Sequence, residues 1–435
     1  MILVYSNQTS PRLVYVLNLV FKNLLKSNFE LTQSPEVYRD YAGLKMAYSA
    51  QKIDDGIHIK PHSLLFETEI KPQKVQVVYE NALPTFFQTG DAAHSFSFDI
   101  FAAAFYMVSR YEEYLPHKAD QYDRFQAAES LAYQHNFLQT AVVNHWVNLL
   151  KNAIEQRFNG FLFAKQTYVF TPTIDIDFAF AYKHKPYLER TKSLAYKLLK
   201  GKVNEYKTQK KVLDNKLQDP YNTYNYLGDL HEKYGLKPIY FYLFGNYGGL
   251  DQNLDPKNIQ VKKLVQYLAQ IAQVGLHPSV ASNKNEQILE REIHLLRAYT
   301  QNSNVVSRQH FLMLKMPKTY QTLIKQSVTA DYSMAFADEL GFRAGIASPF
   351  IFFDLSTNQP TKLTIFPSAV MDATLLFYKK LSPSQANEAI KPIINEVKAV
   401  KGNLISIWHN NSVSDFAEWK GWRIVYERFL LDALA

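Results

Sequence analysis

The chain holds no cysteine. That excludes a disulfide framework, thiolate metal sites, iron–sulfur ligation and a cysteine nucleophile, and it agrees with a reducing compartment. Glycine is sparse, at 15 of 435 residues, and neither G-x-G-x-x-G nor G-x-x-x-x-G-K-[ST] occurs. The backbone cradles that hold dinucleotide or nucleotide phosphates therefore have no representative. H-E-x-x-H and G-x-S-x-G are missing as well, which removes the commonest zinc-protease and serine-hydrolase signatures. No apolar run approaches the ~20 residues that cross a bilayer as a helix, so no transmembrane segment is expected. The opening Met1-Ile-Leu-Val-Tyr-Ser has neither a basic stretch nor a small-residue cleavage site. It reads as a β-strand rather than a signal peptide, and the expected location is the cytoplasm.

What is present builds a core. Apolar residues make up 47% and charged residues 20%, the mix of a soluble globular chain rather than a disordered one. At ~150 residues per domain the length implies two or three domains. The net charge is +8, and residues 183–216 alone hold eleven Lys and Arg against three Asp and Glu, a balance of +8. This stretch is expected to be a helical excursion with its lysines on the solvated face. An anionic membrane and a nucleic acid are the competing partners for such a segment. Near-neutrality elsewhere argues against a dedicated nucleic-acid protein.

Up to about residue 165 short strands and helices are mixed. Ile2–Tyr5 is a predicted strand, and 11–25 a predicted helix with Ser10 as N-cap and Pro11 at its first position. Segments 63–68 and 74–79 read as strands. Residues 98–114 read as one apolar helix whose closing Arg110, Glu112 and Glu113 form a terminal charge cluster, with the lining of an interface as the alternative, and 139–157 as another helix. From about Gln166 strands alternate with helices: strands at 168–174, 238–244, 305–311, 363–366 and 403–408, with helices between. Such alternation means βαβ units and a parallel sheet, and about seven strands fit a closed or nearly closed barrel. The predicted fold class is thus α/β: a smaller mixed α/β domain over 1–165, then a (β/α) barrel over 166–435.

A parallel barrel gathers its strand ends at one mouth, and the strand ends here carry chemistry. The first reads Thr173-Ile174-Asp175-Ile176-Asp177, and alternation aims Asp175 and Asp177 to one side. Two carboxylates ending a buried strand must be paired, hydrogen-bonded or metal-bound. Gly275-Leu276-His277 offers an imidazole, Ser307-Arg308-Gln309-His310 offers Arg308 and His310 on one side, and the last strand ends in Trp408-His409.

The order of these pieces resembles the polysaccharide deacetylase family, carriers of the NodB homology domain (carbohydrate esterase family 4), from about Gln166 to the C-terminus. The resemblance implies a distorted (β/α)7 barrel and metal-dependent N-deacetylation. Thr173-Ile174-Asp175-Ile176-Asp177 is similar to the Asp-x-Asp variant of the family's first motif, which implies Asp175 as catalytic base and Asp177 as metal carboxylate. Residues 221–244 resemble the following helix and second strand. Residues 271–279 resemble the segment of the metal histidines, with His277 as the first. Arg308 or Arg343 stands for the arginine that orients the base, and Asp331 for the acidic supporting position. Ile407-Trp408-His409 resembles the closing motif, with His409 as general acid. More narrowly, the chain is similar to a subgroup that places an uncharacterised domain before the barrel and shares His-Pro-Ser, Arg-Gln-His-Phe and Gly-Phe-Arg-Ala-Gly.

One departure matters. The family's second metal histidine follows the first by four residues, and that position here is Ala281. His310 is the candidate replacement. A ligand set of Asp177, His277 and His310 without sulfur suits Zn²⁺, and Co²⁺, Ni²⁺ or Mn²⁺ fit the same donors. The implied substrate is an N-acetylated sugar or a related small amide. The alternative, favoured by Ala281, is a catalytically lapsed barrel that binds glycan or protein.

Overall fold

Ser10 opens the first helix as predicted: its hydroxyl accepts from the Leu13 amide at 3.0 Å, and Pro11 sits where no backbone donor is needed. The helix Pro11–Leu17 then widens into π-helical turns at Asn18–Leu24. The structure, a computed structural model, describes residues 1–89 and 94–435. Strand β1 (Ile2–Tyr5) lies between β2 (Phe29–Thr32) and β3 (Lys45–Tyr48), with β4 (Ile57–Ile59) beyond β3, and all pairs are parallel. The segment expected as a strand at 63–68 is instead a short 3-10 turn, Ser63–Phe66. Its carbonyls serve side chains: Leu64 accepts from the Arg12 guanidinium at 2.9 Å and Leu65 from the Ser10 hydroxyl. The strand expected at 74–79 shrinks to β5 (Val78–Glu80), antiparallel to β6 (Leu83–Thr85).

The helix Ile100–Val108 is buried at every position, as a helix apolar on all sides must be. It stops short of the predicted end because Arg110 takes a left-handed conformation (φ 53°), and a separate turn, Tyr111–Tyr114, follows.

The second sheet carries β7 (Val169–Ile176), β8 (Ile239–Leu243), β9 (Gln273–His277), β10 (Val306–Ser307), β11 (Ala330–Asp331), β12 (Phe350–Asp354), β13 (Gln359–Ile365), β14 (Val370–Met371) and β15 (Asn403–His409). Its order is β12-β13-β11-β10-β9-β8-β7-β15-β14, with only the β12–β13 pair antiparallel. β13 and β14 are nearly one run of chain. Ile365 pairs with Asp331 of β11, while Val370 pairs with Ser406 of β15. Between them the Phe366 amide donates to the Asp331 carbonyl at 2.8 Å, and the Ala369 amide to the Ile405 carbonyl at 3.3 Å. One short segment thus touches both ends of the parallel row, which must curl to meet it.

Alternation then sorts the side chains. Ile239, Phe241, Val306, Ala330, Tyr332 and Ile405 pack inside the curl, while Ile174, Tyr240, Tyr242, Leu276 and Trp408 face out into the main core. The outer face is covered by helices, among them Ile259–Ile271, Glu286–Thr300 and Pro383–Ala399. Among the described residues no helix is long and apolar enough to cross a membrane.

Candidate active site

The inward-facing residues at the C-terminal ends of the curled strands converge. Asp175 is the last residue but one of β7 and Asp177 follows the strand; His277 closes β9; Arg308 and His310 follow β10; His409 closes β15. The Arg308 guanidinium is fully buried. Its Nη1 donates to Asp175 Oδ1 at 2.8 Å and to the Thr173 hydroxyl at 2.5 Å, its Nε donates to the Tyr332 carbonyl at 3.1 Å, and it lies 4.5 Å above the Phe241 ring. A buried guanidinium needs such a counter-charge.

Three imidazoles face Asp177. His277 Nε2 is 3.1 Å from Asp177 Oδ1, while His310 Nε2 and His409 Nε2 are 3.6 and 3.5 Å from Oδ2. Each ring is held from behind through Nδ1. His277 Nδ1 meets the Arg308 carbonyl, His310 Nδ1 meets Asp251 Oδ1 at 2.8 Å, and His409 Nδ1 meets Asp372 Oδ1 at 2.7 Å. These partners only accept, so each Nδ1 carries a proton and each Nε2 is turned to the shared point. Burial alone would raise the Asp177 carboxyl, but His310, His409 and His277 outweigh it and hold it far below the usual carboxylate range. Burial would lower the imidazoles, but Asp177 and Asp251 raise His310 to about 9, and Asp372 with Asp177 raises His409 to about 10.

The donor set fits a divalent metal. One donor atom each from Asp177, His277 and His310 lie within 4.8 Å of one another. Asp177 Oδ1 is buried and makes no hydrogen bond, although His277 Nε2 is close by. A carboxylate with one orphaned oxygen, set among imidazole nitrogens each fixed by an acceptor behind it, is the arrangement of a metal site with its supporting partners. Ala281 does not leave this set short. The loop where the family resemblance places a second histidine donates its Val280 and Ala281 amides to Asp251 at 3.0 and 3.3 Å, and Asp251 in turn holds His310.

Two expectations are corrected. Of the two candidate arginines, Arg308 touches Asp175; Arg343 does not. Arg343 is buried elsewhere, with Nε and Nη2 on the Glu113 carboxylate at 2.8 and 2.7 Å and Nη1 on the Ala335 carbonyl at 3.1 Å. The Arg110–Glu113 text is correspondingly an internal contact with this part of the chain, not a terminal charge cluster. Asp331, expected as a supporting acidic position, lies behind the site. It accepts from the hydroxyls of Ser307 and Ser333 at 2.8 and 2.9 Å, and Ser333 in turn accepts from the Gln309 amide. It therefore stiffens the turn that presents Arg308 and His310.

Sequence reasoning missed Asp251 and Asp372. Asp251 lies in the loop after β8, which has no periodicity to read. Asp372 follows the two-residue β14, too short to register as a strand.

The cluster floors a cavity of about 470 Å³, a size suited to a small ligand. Its walls include Phe178, Phe311, Phe377 and Trp419, together with Tyr122 and Arg124 from the N-terminal region. Arg124 is held by Asp120 at 2.7 Å, the Phe311 carbonyl at 2.6 Å and the Tyr378 hydroxyl at 3.0 Å.

Comparison with known proteins gives a family match over the N-terminal region and a likeness to solved structures. Residues 2–159 match a family described as a family of unknown function, DUF7033. No curated protein matches the chain. A solved structure from Mycobacterium smegmatis, described as a "putative polysaccharide deacetylase", is similar over 62% of this chain and 85% of its own, with 13% identity and a TM-score of 0.41.

Proposed function

We propose that the chain is a metal-dependent hydrolase of the polysaccharide-deacetylase kind, cleaving the amide of an N-acetylated sugar or a related small substrate. One observation carries this reading: Asp175, Asp177, His277, His310 and His409, far apart in sequence, meet on one cavity floor with Arg308 bound to Asp175.

Asp177, His277 and His310 would hold the ion. A bound divalent cation polarises an amide carbonyl and acidifies a water. The remaining chemistry belongs to the chain. Asp175, fixed by Arg308, takes the proton of the attacking water. The water oxygen bonds to the carbonyl carbon, and the carbon–nitrogen bond breaks. His409, with Nδ1 committed to Asp372, delivers a proton from Nε2 to the leaving nitrogen, so acetate and amine depart. Asp372 sets the tautomer and aim of His409. The cavity's aromatic walls offer faces on which a sugar ring stacks. The lapsed-barrel alternative rests on Ala281; the position of His310 beside Asp177 and His277 supports the metal-binding reading instead.

The test is acetate release from acetylated chito-oligosaccharides and small acetamides by metal-loaded protein. Removal of one positioned acid or base costs about 10²–10⁴-fold in rate, so Asp175→Asn and His409→Gln should each lose at least 10²-fold. Full activity in Asp175→Asn, or no acetate from either substrate class, would refute the reading.

A further inference from the structure

The basic stretch that holds the chain's charge excess folds into two helices, Tyr187–Leu199 and Val203–Leu213, joined by a tight turn at Gly201 (φ +67°). The pair is polar on the inside. Lys197 Nζ reaches Gln209 Oε1 at 2.6 Å and the Ser193 hydroxyl at 3.2 Å, while Gln209 Nε2 donates to the Arg190 carbonyl at 3.1 Å. Val212 is buried against Ala181 and Tyr182, but the apolar side chains at the ends of the first helix face out. Leu199 is 86% exposed, Tyr187 73%, Leu188 63% and Leu198 60%. Leu188, Lys192, Ala195 and Leu199 follow one another at helical spacing along the exposed face. The turn reads Leu198-Leu199-Lys200-Gly201-Lys202-Val203, with leucines at the tip and exposed lysines beside them.

This is the reverse of a solvated surface helix, whose leucines point into the core. Apart from Lys197, most lysines of the two helices are on the outside as the sequence leads one to expect, but the leucines of the turn are there with them. A large exposed apolar patch marks an interaction surface, and the charge around it selects the occupant. Eleven basic against three acidic residues repel a second copy laid face to face. Nucleic acid has no use for leucines at the tip of the hairpin. A bilayer bearing anionic headgroups uses both: leucines enter the acyl boundary, and lysines stay at the headgroup level.

We infer that this helical hairpin docks the protein on an anionic lipid surface, with Leu198, Leu199 and the flanking Lys200 and Lys202 as its insertion tip. The hairpin springs from the end of β7, beyond Phe178 of the cavity wall, and is anchored by Asp219, which accepts from the Ala181, Tyr182 and Lys183 amides at 2.8 to 2.9 Å. Docking would therefore bring the cavity-bearing end of the sheet to the bilayer.

The full chain is to be floated with vesicles of 70:30 phosphatidylcholine:phosphatidylserine and with pure phosphatidylcholine, each in 0.1 M and 0.5 M salt. It should bind the anionic vesicles at low salt, with binding weakened at least tenfold by high salt and by the absence of phosphatidylserine. Leu198→Asp with Leu199→Asp, and separately Lys200→Glu with Lys202→Glu, should each lose binding tenfold or more while keeping the wild-type unfolding midpoint. Ile424→Asp, at an exposed site on the last helix, should bind as wild type. Wild-type chain left unbound by both vesicle types, or undiminished binding by the Leu198/Leu199 variant, would overturn the proposal. So would a wild-type dimer that this variant turns into a monomer, since the occupant would then be a second copy. The readout is binding alone, so it stands or falls apart from the hydrolase reading.

Discussion

Glu113 lies between two guanidiniums: Arg343 Nη2 on Oε2 at 2.7 Å and Arg110 Nε on Oε1 at 2.7 Å. Burial would raise its carboxyl, but Arg343 and Arg110 outweigh it and hold it at about 2 against the ordinary 4.5. A carboxyl depressed in the folded state stabilises above its unfolded value, and that stability is lost as pH falls through the folded value. The contribution of Glu113 is therefore full above about pH 4.5 and gone near pH 2. Glu113→Gln should lower stability at pH 7 by about 3 kcal/mol, the scale for breaking a buried pair, and flatten the acid loss between those values in urea unfolding. An acid slope equal to wild type would contradict this. Such residue-scale facts were partly legible. Alternation put Arg308 on the side of His310, but Arg343 sits in a turn where no periodicity says which way it points. Asp251 and Asp372 are a loop residue and a strand-end residue without any local signal, and only the folded chain joins them to His310 and His409. Asp251→Ala should weaken metal binding about 10–100-fold, the usual cost of removing a partner behind a ligating histidine. Unchanged affinity would show that Asp251 does not support the site.

Among the elements, long periodic ones were readable and short ones were not. The helix Pro383–Ala399 declares itself by Pro383 at its first position and by Ser382 and Gln385, which form a capping box. β11 and β14 have two residues each, fewer than any pattern needs, and β10 keeps only Val306–Ser307 of the strand expected at 305–311. β12 escaped for another reason: the apolar run at 350–355 fits a buried strand and a buried helix equally. In β9, Gly275 is fixed by packing. A Cβ there would lie 2.7 Å from the Phe241 ring and 2.9 Å from Val306, and Phe241 is the ring under Arg308. Gly275→Ala should destabilise by about 1–3 kcal/mol through overpacking, read as a lower unfolding midpoint. An unchanged midpoint would mean that the interior of the curl has room to spare.

At the scale of the whole molecule, the change of pattern near residue 165 was visible, but the packing across it was not. Tyr15 and Phe105 pack on Phe353 at 5.0 and 5.1 Å. The Val143 amide donates to the Gly345 carbonyl at 3.0 Å, and Glu396 accepts from the Ala141 amide at 2.8 Å. One apolar cluster contains Leu13, Phe105 and Trp146 together with Ile346, Phe353 and Trp408. A core shared in this way should melt as one unit, so calorimetry of the full chain should give a single transition whose van't Hoff and calorimetric enthalpies agree. Two resolved transitions would mean that the two parts are energetically separate. The same contacts bring Tyr122 and Arg124 to the cavity wall, so the N-terminal region shapes the space above the cluster.

Convergence of Asp177, His277 and His310 on one ion is the central claim, and zinc titration of chelator-stripped protein by calorimetry tests it most directly. The expected result is saturation at about one equivalent in the wild type, with that binding abolished in His310→Ala although the variant still unfolds cooperatively. A wild-type chain that takes up no zinc, or a His310→Ala variant that binds it as tightly as wild type, would contradict the claim.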